Sequence, residues 1–84
     1  MSGYMAGRVV DAFSITPHDS NILSKVTSCL WVGGAGSGNL KVRLSPSGTT
    51  IAYTGVPTGR FQVQCDMVYD TDTDVTGIIG EVIG

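Results

Sequence analysis

An all-β fold, a small antiparallel β-sandwich or barrel, is what this chain predicts, and three observations carry the prediction. Apolar residues recur at every second position through Leu40-Lys41-Val42-Arg43-Leu44 and again from Phe61 to Tyr69, the period of a strand with one buried face. Short apolar stretches alternate with turns rich in Gly, Pro and Ser. Helical periodicity is almost absent, the exception being one short helical turn near residues 17–23.

In chain order, residues 1–10 read as an N-terminal arm and residues 11–84 as one all-β domain. The first strand, Val9 to Ile15, runs across that boundary. Thr16 is placed to cap the helical turn, Pro17 suits its first position, Asp19 stands where a capping-box acid would, and Ile22 and Leu23 would tuck the turn onto a sheet. Further strands are expected at about 27–33, 39–45, 49–54, 60–69 and 75–83. The cluster Gly33, Gly34, Gly36 and Gly38 lies between two of them and is expected to close a β-hairpin. Ser45-Pro46-Ser47-Gly48 and Gly55-Val56-Pro57-Thr58-Gly59 are turns, with proline and glycine setting the backbone angles. In the long strand, Phe61, Val63, Cys65, Met67 and Tyr69 should face one way and Gln62, Gln64 and Asp66 the other. The apolar strand Ile78-Ile79-Gly80-Glu81-Val82-Ile83 needs cover from the domain or from a neighbouring subunit.

Composition points to company. The 84 residues bury only roughly two-thirds of their unfolded surface, which leaves a small core. Only 14% of residues are charged, against about 25% in average globular proteins, so part of the surface is expected to be covered by other subunits. The net charge of −2 has no basic cluster behind it, which argues against binding nucleic acid by phosphate neutralisation. No apolar run approaches the ~20 residues of a membrane span, and Met1 to Arg8 does not have the pattern of a signal peptide. Assembly in a cytoplasm is the expectation. Cys29 and Cys65 lack C-x-x-C spacing and read as reduced, buried core thiols.

Four constellations could carry chemistry. The glycine cluster fails as a dinucleotide loop, because Asn39 stands where its last glycine should be and a strand follows instead of a helix. Asp70, Asp72, Asp74 and Glu81 fall at positions one, three, five and twelve of a calcium loop, although Val75 occupies the position where that loop requires glycine. A calcium site, a solvated acidic loop and a charged contact with a partner all remain open for this run. His18 is the sole histidine and has no nucleophile at a recognisable spacing, and no serine sits in a G-x-S-x-G elbow, so no enzyme is visible. Trp31 and Tyr53 are either core aromatics or interface anchors.

Three segments resemble a family. Phe13-Ser14-Ile15-Thr16-Pro17-His18-Asp19-Ser20, Leu30-Trp31-Val32-Gly33-Gly34-Ala35-Gly36 and Thr54-Gly55-Val56-Pro57-Thr58-Gly59-Arg60-Phe61 are similar, in order and spacing, to the head-spike base proteins of tailed phages and of phage-derived gene transfer agents. The resemblance covers roughly residues 12–79. It implies a small non-enzymatic virion protein on the capsid exterior, often at vertices, in contact with the major capsid protein and a fibre or spike. A ring of copies follows from a vertex seat, a pentamer being favoured over a trimer. At Asp72 and Asp74 the chain departs from the neutral stretch usual in the family. Contacts are expected in the N-terminal arm, at Trp31, Gly34 and Gly36, at Val56 and Pro57, and in the acidic run. The alternatives are a cement protein that decorates the whole shell, and a calcium-dependent binding module.

Overall fold

A computed structural model describes residues 7–84, so most of the expected arm, residues 1–6, lies outside the described residues. Seven strands form: β1 Val9–Ser14, β2 Cys29–Gly34, β3 Leu40–Leu44, β4 Thr50–Tyr53, β5 Gly59–Phe61, β6 Cys65–Val68 and β7 Thr76–Ile83. They build two antiparallel sheets, one of four strands in the order β1-β7-β2-β5 and one of three in the order β4-β3-β6. The result is a small β-sandwich. Leu30 and Val32 of β2 and Ile78 of β7 point inward from the first sheet. Leu40, Val42, Cys65 and Val68 meet them from the second, while Ile15, Val56, Val63 and Val75 on the connections close the ends of the core.

The apolar C-terminal strand is covered within the domain. As β7 it is paired on both sides, with β1 and with β2. Gly80 lies opposite both Leu30 and Phe13, and a Cβ there would come within 2.8 Å of the Phe13 ring. Glycine at this position lets the aromatic ring cross the central strand.

Four expectations are corrected by the structure. First, no helical turn forms near residues 17–23. The amides that a helix would use internally are instead given to β6: His18 N–H to Val68 O (3.0 Å) and Leu23 N–H to Asp66 O (2.8 Å), with Thr27 N–H to Cys65 O (3.0 Å) beyond them. The Asp19 carboxylate likewise turns away from its own segment and accepts the Asp70 and Thr71 amides, each at 2.9 Å. Segment 18–27 thus runs along β6 as an irregular edge cover. Leu23 packs on the core and Ile22 stays 65% exposed.

Second, the glycine cluster does not close a hairpin, because β2 and β3 belong to different sheets and the loop carries the chain across the sandwich. The tight turn between neighbouring strands is Ser45-Pro46-Ser47-Gly48, where Gly48 adopts φ 79° and Leu44 N–H bonds Thr49 O at 2.7 Å.

Third, the run 60–69 is two strands in two sheets. Between them, Gln64 is fastened to Ser45 by its backbone carbonyl (3.0 Å) and its amide side chain (2.9 Å). Buried Thr27 supports the same crossing: its hydroxyl donates to Val63 O at 3.0 Å and accepts Cys65 N–H at 3.2 Å.

Fourth, the alternation fails after Cys65. Leu44 pairs with Cys65 but Arg43 with Met67, so Asp66 is an extra residue, a bulge that reverses which side chains point inward. Val68 takes the core position, and Tyr69 joins Lys41 on the outer face, with the Lys41 ammonium 5.2 Å from its ring centre.

Candidate functional site

The strand directions bring four connections to one end of the sandwich: the start of the β1–β2 segment, the β2–β3 glycine loop, the β4–β5 turn and the β6–β7 acidic loop. They are tied to one another rather than merely adjacent. Gly38 O accepts Val56 N–H at 3.0 Å, and Asn39 O accepts Asp74 N–H at 3.0 Å. The Asp74 carboxylate takes the Asn39 and Ser37 amides at 2.9 and 3.1 Å, bonds that hold it below the usual carboxylate range. Asp19 is held low in the same way, first by the Thr71 hydroxyl at 2.6 Å and then by the Thr71 and Asp70 amides. Lys41 on β3 stands 3.7 Å from Asp72.

Glycine is required where these loops touch. Gly38 has φ 81°, and a Cβ on it would lie 2.8 Å from Val56 N. Gly36 has φ 52°, and a Cβ on it would lie equally close to Asp74 O. The glycine pattern therefore reports close backbone packing between loops. A cleft of about 330 Å³ opens beside them, lined by Ile15, Pro17, Asp70, Asp74 and Thr76 among others.

The sequence-predicted positions divide between this end and a second surface. Gly34, Gly36, Val56, Pro57, Asp70, Asp72 and Asp74 belong to the loop end; Val56 is buried there as a core anchor, while Pro57 is exposed. Glu81 does not join the three aspartates. It lies on β7 opposite Cys29, on the outer face of the four-stranded sheet, where the Arg60 guanidinium donates to it at 2.8 Å and 3.4 Å. No group of three or more His, Cys, Asp or Glu side chains stands together in a metal-holding arrangement among the described residues. The calcium-loop spacing in the sequence is thus not gathered into one ligand set.

Trp31 is on that outer face, 41% exposed, directly opposite Arg60 on one side and Ile79 on the other. The Arg60 guanidinium lies 5.8 Å from the centre of the indole. Arg60 in turn holds Glu81 below the usual carboxylate range, and burial followed by the bond to Glu81 (3.2 Å) pushes the Cys29 thiol up. Sequence reasoning gives Arg60 no role of its own and gives Asp19 only a local capping one. A basic residue one place before the apolar Phe61, on a strand opposite tryptophan, is a signal for Arg60; nothing local in the sequence marks the long-range role of Asp19.

No family model matches this sequence, and no curated protein matches it. Among solved structures, it is similar to a chain of the "capsid of native GTA particle computed with C5 symmetry", a gene transfer agent particle, at 30% identity and with a TM-score of 0.73. The match covers 88% of this chain and 83% of that one. This chain belongs to the same family of capsid-associated proteins. The likeness extends over most of the length of both chains. It supports a structural role in a phage-like or gene-transfer-agent particle.

Proposed function

We propose that the protein is a non-enzymatic head-spike base, seated on the outer capsid surface at vertices, where a ring of copies, five being favoured, anchors a fibre or spike. The observation that carries this reading is the family relation to a chain of a gene transfer agent capsid solved with fivefold symmetry, over 88% of the present chain. Its partners are then the major capsid protein, the fibre and further copies of itself, with no nucleic acid and no membrane involved. Its place is the virion exterior, after assembly in the host bacterial cytoplasm. The arrangement of the molecule supports the reading. One end is a set of cross-bonded loops, and one sheet face carries a Trp31–Arg60 pair, both residue types enriched at binding hot spots.

The test is the mass of the purified protein by light scattering, followed by its copy number on particles. A fivefold oligomer and a few tens of copies are expected. A protein present at hundreds of copies per shell is a cement protein, and that count would overturn the vertex seat.

A further inference from the structure

Each sheet has two edges, and three of the four are closed to further pairing. The β6 edge is covered by segment 18–27 through its three backbone bonds. The β1 edge has a register shift between Val9 and Asp11, and the Asp11 carboxylate there is ion-paired with Lys25. The β5 edge is only three residues long. These are the usual devices against unwanted pairing: cover, bulge with charge, and brevity.

β4, one residue longer than β5, has neither cover, nor bulge, nor charge. Thr50-Ile51-Ala52-Tyr53 contains no charge, proline, glycine or bulge, and its residues are exposed except for half-buried Tyr53. The bond from Leu44 N–H to Thr49 O sets the parity of the β3–β4 ladder, so Ile51 and Tyr53 bond to β3 while the amides and carbonyls of Thr50 and Ala52 point away from it. Among the described residues those four groups meet no partner. Beside them, Ala52, Tyr53, Thr54, Asn39 and Asp72 line a pocket of about 220 Å³. Asp72 is 65% exposed on its side chain. The loop end it belongs to holds Asp19, Asp70, Asp72 and Asp74 against the single cation Lys41.

We propose that β4 is a strand-addition site for an extended segment of another protein, uncharged in its middle and basic where it passes Asp72. The segment pairs with the Thr50 and Ala52 main chain, sets apolar side chains beside Ile51 and Tyr53, and places its positive charge in the Asp72 pocket. Main-chain bonds of this kind supply affinity, and the pocket supplies direction. This holds whether the protein sits at vertices or over the whole shell.

The experiment uses the full chain, labelled for NMR, and a capped peptide of alternating valine and threonine with lysine at both ends. The Thr50 and Ala52 amides should shift and gain protection from hydrogen exchange when it is added. The same peptide with glutamate at both ends should bind more weakly. Ala52→Pro should abolish binding while keeping the fold, since an outward-facing edge amide is not needed by the sheet. Asp72→Asn tolerates the φ of 66° at that position and should weaken the lysine peptide about threefold, the scale of an exposed ion pair. Three results would overturn the proposal: peptide shifts confined to β1 or β5, equal binding of the two peptides, or concentration-dependent protection of Thr50 and Ala52 without peptide. The last would make the occupant a second copy of this chain. If Ala52→Pro does not fold, the amide protection alone decides.

Discussion

Leu30 and Trp31 are adjacent on β2 and face opposite ways, so truncating each tests a different property. Leu30 is fully buried among the core residues of both sheets. Leu30→Ala should cost about 2–5 kcal/mol in urea denaturation, a large share of the roughly 4–12 kcal/mol that a domain of this length holds. Trp31→Ala loses a half-exposed indole and its cation–π contact worth about 1 kcal/mol or less, so the melting temperature should fall far less than for Leu30→Ala while oligomer or particle binding falls. Acid provides a second test at this scale. Arg60 holds Glu81, and Arg43 holds Asp66, below their ordinary ranges. Below about pH 4, where such groups protonate in the unfolded chain, the unfolded state takes up more protons than the folded one. The stability from both pairs is therefore complete above about pH 5 and is lost as pH falls through the lowered folded values. Thermal melts from pH 7 to pH 2 should show a plateau and then a decline. Arg60→Ala should shrink the decline by removing the share of Glu81.

At the scale of elements, the glycines separate by what surrounds them. Gly38 and Gly48 both have left-handed backbones, but only Gly38 is pressed against another loop; around Gly48 there is open space. Gly48→Ala should cost about 1–2 kcal/mol from backbone strain alone, and Gly38→Ala distinctly more, by chemical denaturation. The same contrast explains which parts of the fold were legible. Alternation located the strands, because period two depends on burial of one face, and Pro46–Gly48 marked its turn by local chemistry. Partners were not legible, because nothing in Leu30–Val32 or Leu40–Leu44 states whether the two strands pair or face each other across a core. The Asp66 bulge escaped notice since Met67 and Val68 are both apolar, and either can fill the inward place. The candidate site was legible as a set of regions. The glycine loop, the Val56 turn and the acidic run do meet, but the ligand-like spacing of Glu81 dissolves once that residue is carried to the far part of β7.

At the scale of the whole molecule, both thiols are sealed in: Cys29 and Cys65 are free, buried, and pushed upward mainly by that burial. Native protein should release no colour with a thiol reagent until denaturant is added, whereupon two thiols per chain should react. A thiol that reacts rapidly in the native state would mean that the sandwich opens locally. The two ends of the described chain meet as well: Arg8 and Gly84 exchange backbone bonds of 3.4 and 3.0 Å at the end opposite the loops. Because β1 and β7 are antiparallel neighbours whose outer ends lie there together, a pull applied between the two termini opens their ladder one rung at a time, like a zipper. A pull between the glycine loop and the C-terminus instead runs along the strands, and the hydrogen bonds along β7 must shear together. Held in an optical trap by these two pairs of attachment points, the same domain should yield at a low force in the first geometry and at a much higher one in the second. Such a domain resists tugging only where it is gripped end to end.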